Sequence, residues 1–235
     1  MNEYIKNLRA ELFTRSDEKV KASGERFFKE EVRMYGIRSA DVNRIGKDHF
    51  RKIKDSGKTD ILNLCEELWK SGMMEESFIA CNWSYYICKQ YEPTDIATFD
   101  RWLNLYVNNW ASCDTLCNHS VGTLVEMYPG LLSNLKEWSL SGNRWVKRAS
   151  AVSLIVPARR GKFLEDIFEI ADILHSDTDD MVQKGYGWML KEASKPNQDK
   201  VFRYVMSKKS TMPRTSLRYA IEKMPAELKA RVMAK

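Results

Sequence analysis

In Asn109-Trp110-Ala111-Ser112-Cys113-Asp114 an indole and a carboxylate stand four residues apart. On a helix that spacing puts both side chains on one face. An acid and an aromatic ring placed together can stabilise a cation, because the carboxylate supplies opposite charge and the ring face a negative quadrupole. The same spacing also fits an acid favoured by a helix N-terminus beside a packing tryptophan. In Asn143-Arg144-Trp145-Val146-Lys147-Arg148-Ala149, the cations Arg144, Lys147 and Arg148 are three and four apart and gather on one side of a helix. Phosphate is attracted both to them and to the open N–H groups of a helix start. A solvated basic face reads the same way. Lys184-Gly185-Tyr186-Gly187-Trp188-Met189-Leu190-Lys191-Glu192 has a helical pattern with two glycines inside it. Each costs about 1 kcal/mol relative to alanine, which points to close approach of another helix or a ligand.

The elements that must position these residues read as helices almost throughout, with neither sustained period-2 alternation nor an Asn-Gly hairpin. Ser16-Asp17-Glu18 opens a helix expected to run to about Tyr35 and stop at Gly36; Ser39 and Thr59 are expected caps, and Gly72 a stop. From Glu75 the chain repeats loosely, as a longer helix, a turn and a shorter helix, over 75–109, 110–143, 144–177 and 178–209. The turns carry Pro93, Pro129, Arg160-Gly161 and Pro196, and a large apolar residue falls late in each second helix: Trp102, Trp138, Ile170 and Tyr204. A period of about 35 residues is typical of helical-pair solenoids, whose pairs bury their apolar stripes against their neighbours. The expected architecture is all-α: one HEAT-like or ARM-type solenoid domain over 1–235 with a concave groove. Residues 1–72 form N-terminal capping helices, 75–209 four helical-pair repeats and 210–235 a C-terminal cap.

With 43% hydrophobic and 30% charged residues in 235, the chain can bury a sizeable core. No apolar run has the length of a membrane span, and the first residues alternate charged and apolar types unlike a signal peptide, so a cytoplasmic protein is expected. Five cysteines without a CxxC pair argue for buried thiols rather than disulfides or zinc. The three histidines are scattered, so no metal is expected. The net charge of +6 leans toward nucleic acid.

Five stretches together resemble the AlkD-type DNA alkylation repair family of bacterial alkylpurine DNA glycosylases. They are Met34-Tyr35-Gly36-Ile37-Arg38, Glu67-Leu68-Trp69, Trp110 to Asp114, Trp145 to Ala149, and Gly187-Trp188-Met189-Leu190-Lys191-Glu192. They follow the family's order at near-identical separations and cover essentially the whole chain. The resemblance implies HEAT-like repeats around duplex DNA. It implies excision of cationic N3- and N7-alkylated purines by a monomer, without metal or cofactor and without a base-flipping pocket. Asp114 would be the catalytic carboxylate, with Trp110 and Trp188 against the lesion's deoxyribose. Arg148, with Lys147 and Arg144 beside it, would hold backbone phosphate.

The sequence departs from the family's pattern at two places. Ala111 stands where a second acid often sits, and Phe27 where a tyrosine near the DNA is found. Both bear on substrate range. A catalytically silent DNA-binding paralogue and a protein-binding HEAT-like scaffold are the alternatives.

Overall fold

A computed structural model describes residues 2–234; Met1 and Lys235 lie outside them. The chain divides into two compact units, one up to Ser120 and one from Val121 onward. Among the described residues there is no strand, only an isolated bridge between Arg33 and Met73.

The first unit holds α1 (Glu3–Thr14), α2 (Glu18–Glu25), α3 (Ser39–Ile53), α4 (Lys58–Trp69), α5 (Met74–Tyr86), α6 (Ile96–Leu105) and α7 (Trp110–Leu116). Its core is aromatic: Trp83, Phe99 and Trp102 are fully buried. A buried indole needs a partner for its N–H. Trp83 Nε1 donates to the Gly46 carbonyl at 2.8 Å, and Trp102 Nε1 donates to Glu66 Oε2 at 3.3 Å.

Residues 26–38 depart from the helix expected up to Tyr35, since α2 ends at Glu25. Tertiary hydrogen bonds take this segment's backbone instead. Met74 N–H donates to the Arg33 carbonyl, and the Glu75 carboxylate accepts from the backbone N–H groups of Tyr35, Gly36 and Ile37 at 3.0, 2.8 and 3.1 Å. Gly36 has φ +85°, and a Cβ there would come within 2.3 Å of the Asp17 carbonyl, so glycine is required. Neighbouring Glu76 is also fully buried. It takes a forked ion pair from Arg9 and a 2.8 Å hydrogen bond from the Tyr35 hydroxyl. Burial, reinforced by that bond, pushes Tyr35 well above the usual phenol range, so it stays a donor. Ser39 and Thr59 lie inside the first turns of α3 and α4 rather than capping them, since those helices start one and two residues earlier than expected.

A five-residue π-helical turn, Cys117–Val121, follows α7 and carries the chain across the boundary between units. The second unit holds α8 (Gly122–Met127), α9 (Leu132–Ser139), α10 (Arg144–Val152), α11 (Ile155–Arg159), α12 (Leu164–Leu174), α13 (Asp180–Ser194), α14 (Gln198–Lys208), α15 (Arg214–Ile221) and α16 (Ala226–Met233). The break between α10 and α11 has a local cause: Pro157 has no N–H to give the carbonyl of Ser153.

The two glycines of α13 answer to different neighbours. A Cβ on Gly187 would sit 2.7 Å from Tyr219 Cβ and 2.9 Å from the Ser216 carbonyl oxygen, so this glycine lets α15 cross at close range. A Cβ on Gly185 would lie 3.3 Å from Arg148 Cγ, so this one makes room for the Arg148 side chain. Gly187→Ala should therefore destabilise the protein by about 1–3 kcal/mol through overpacking. A urea midpoint unchanged from wild type would show that α15 can retreat without cost.

Candidate functional site

The three helices that carry the candidate residues all open on an Asn or Asp side-chain cap, which satisfies backbone donors that the first turn leaves open. Asn109 accepts from Ser112 N–H at the head of α7. Asn143 accepts from Trp145 N–H at α10, and Asp179 from Met181 and Val182 N–H at α13.

In the first unit, Trp110 and Asp114 stand one turn apart on α7, which packs on α5. Trp110 is half-buried and stacks on Phe28, with ring centroids 5.5 Å apart and planes at 25°. Asp114 is 9% exposed, so its charge acts in a medium of lower dielectric than water. Trp110 also forms part of the wall of a cavity of about 580 Å³, together with Phe27, Phe28, Ile37 and Phe78. Arg38 and Lys19 line it as well, and so does Ala111. The two positions at which the sequence departs from the family's pattern therefore border one concavity. Phe27 is 75% exposed, although a side chain of that size usually hides its apolar area.

In the second unit the three cations of α10 do not form a free basic face. Arg144 makes a forked pair with Asp179, its Nε and Nη2 at 2.9 and 3.0 Å from the two carboxylate oxygens, and its guanidinium lies over the Trp145 ring. Lys147 pairs with Asp177. Arg148 is only 5% exposed, and its Nη1 donates to the Met181 carbonyl at 2.5 Å. Trp188, half-buried on α13, has the Lys191 ammonium 5.9 Å from its ring centroid, and Lys191 in turn pairs with Glu222 at 3.0 Å.

Sequence reasoning missed the aromatic partners Phe28 and Phe78 and the acids Asp177 and Asp179. The adjacent Phe27-Phe28 pair, set between charged residues, was the one local signal. The acids lie 30 and 35 residues from their cations, too far for helical spacing to reveal.

Among the described residues no group of three or more His, Cys, Asp or Glu side chains is placed to hold a metal ion, and no helix is long and apolar enough to cross a membrane. No curated protein matches the chain in a sequence comparison. A solved structure described as a predicted DNA alkylation repair enzyme from Enterococcus faecalis superposes with a TM-score of 0.81. It covers 90% of this chain and 98% of its own, at 14% identity, a likeness that establishes an all-α helical-repeat fold. The family model for DNA alkylation repair enzymes matches residues 8–224. With nearly its whole length matched, the chain belongs to the DNA alkylation repair enzyme family.

Proposed function

We propose that this protein is a DNA glycosylase that hydrolyses the N-glycosidic bond of cationic N3- or N7-alkylated purines in duplex DNA. The observation that carries this reading is the buried carboxylate of Asp114, one turn from Trp110, in a chain of this family. The HEAT-like solenoid of one domain, acting as a monomer, belongs to the same proposal.

The chemistry follows from the leaving group. An N7-alkylated purine is already positive, so when its bond to C1′ breaks, the electron pair moves to the ring nitrogen and the base departs neutral. No general acid has to protonate it, and one carboxylate can suffice where ordinary glycoside hydrolysis uses two. The sugar left behind is an oxocarbenium-like cation. Asp114 lowers the barrier by opposing that charge in a site fixed before reaction. It also orients the water that attacks C1′ and accepts the proton which that water sheds. The indole of Trp110 contributes a cation-attracting face, and it excludes water that would screen the acid. Unmodified purines would be spared because they leave as anions and receive no proton.

Arg148, Lys147 and Arg144 serve as phosphate contacts in this reading. Phosphate has to displace Asp177 and Asp179 to use Lys147 and Arg144 fully. Arg148→Ala should flatten the dependence of log affinity on log salt by about one unit, the signature of one lost phosphate contact. An unchanged slope in a variant with wild-type circular dichroism would remove Arg148 from that role.

The deciding experiment is incubation with duplex DNA containing N7-methylguanine. Release of free methylated base supports the proposal. DNA binding without release would instead identify a silent paralogue, and association that is weak and insensitive to salt would favour a protein-binding scaffold.

A further inference from the structure

One exposed face of α3 carries Arg44, Lys47 and Arg51 at positions i, i+3 and i+7. With Asn43, Asn82 and Tyr86 they line a concavity of about 510 Å³ between α3 and α5, in which Asp48 is the one carboxylate. We propose that this patch is a second phosphate-binding surface of the first unit, one that grips the sugar-phosphate backbone of duplex DNA irrespective of sequence or damage. The proposal rests on the DNA-acting reading above.

The charges favour an anion. Lys47 has no ion-pair partner among the described residues. Arg44 and Arg51 are held only by exposed neighbours three residues away, Asp41 at 2.6 Å and Asp48 at 2.7 Å. Exposed pairs of this kind are weak and give way to a multivalent anion. The neutral groups favour phosphate over an apolar partner. Asn82 and Asn43 are joined by a 2.9 Å hydrogen bond, which fixes two amides in the lining of the concavity. Tyr86 stands edge-on to Phe50 with centroids 4.9 Å apart, so its phenol is braced. Cations, amides and phenols are the groups that contact DNA backbones. From Arg44 to Arg51 the helix rises about 10 Å, enough to face about three phosphates spaced 3.4 Å along the duplex axis. Arg44, Lys47 and Arg51 lie in the segment that sequence reasoning assigned only to capping.

The test uses the full-length protein and an undamaged duplex, with affinity measured by fluorescence anisotropy over a salt series. Lys47→Gln combined with Arg51→Gln should weaken binding and make the log–log salt slope shallower by about two. Asp48→Asn, which frees Arg51, should tighten binding at every salt concentration, a gain that no loss of fold could imitate. Slopes equal to wild type in folded variants would overturn the patch. So would displacement of DNA by polyglutamate as effectively as by competitor duplex at equal charge. The same preparations are incubated with N7-methylguanine duplex. If wild type releases no base, the glycosylase reading fails while the slopes still decide the patch.

Discussion

Asp114→Asn should release alkylated base at about one-hundredth of the wild-type rate or less, the scale of losing one well-placed electrostatic group in a catalytic site. The amide is nearly isosteric, so it preserves the shape of a side chain that is 9% exposed on a helix already capped by Asn109. It abolishes the negative charge that would oppose the sugar cation, along with the base that would take the proton from water. Affinity for intact duplex should barely change, because binding draws on phosphate contacts elsewhere. A single-turnover measurement with enzyme in excess separates chemistry from binding. Release within a few-fold of wild type would remove Asp114 from the mechanism and with it the argument that one acid suffices.

Glu75→Ala should cost about 3 kcal/mol or more, since three backbone N–H groups lose a charged acceptor and each unmet buried donor costs about 1–3 kcal/mol. Glu75 is 2% exposed, so water cannot easily replace it. The effect should reach the candidate site. The same segment carries Phe28, whose ring lies against Trp110, and releasing residues 35–37 loosens that stack. Glu75→Gln keeps one acceptor oxygen and should fall between the two. Chemical denaturation gives the stability, and base release below saturation gives the consequence for the site. A Glu75→Ala midpoint equal to wild type would mean that the carboxylate does not hold the segment.

The helical character of the chain could be read from punctuation and periodicity, and the openings of α7 and α10 from the repeat spacing. Asn109 and Asn143 precede the first turns of α7 and α10, and the expected second and third repeats begin at the residues that follow them. The pair of glycines in α13 was also legible as a sign of close approach, because such residues are costly in a helix without a reason. The irregular course of residues 26–38 was not. Local propensity favours continuing α2, and what overrides it is a carboxylate some 40 residues away. The π-helical turn at Cys117–Val121 was equally hidden, since no Pro or Gly interrupts the pattern there. At the site, the spacing of Trp110 and Asp114 was visible along the chain. That the α10 cations already have acidic partners was not, because cross-helix pairing is a property of the packed unit.

The disposition of the thiols has a chemical consequence. Cys65, Cys81, Cys113 and Cys117 are buried, and Cys88 alone is partly open to solvent. Burial raises the Cys65 and Cys81 thiols far above the usual range, so both stay protonated at neutral pH. The thiolate is the form that attacks electrophiles. A protein that works on alkylated DNA meets the same methylating electrophiles that create its substrate. Burial shields the four core thiols from them, ionisation adds to that shield at Cys65 and Cys81, and Cys88 is the cysteine left open to modification.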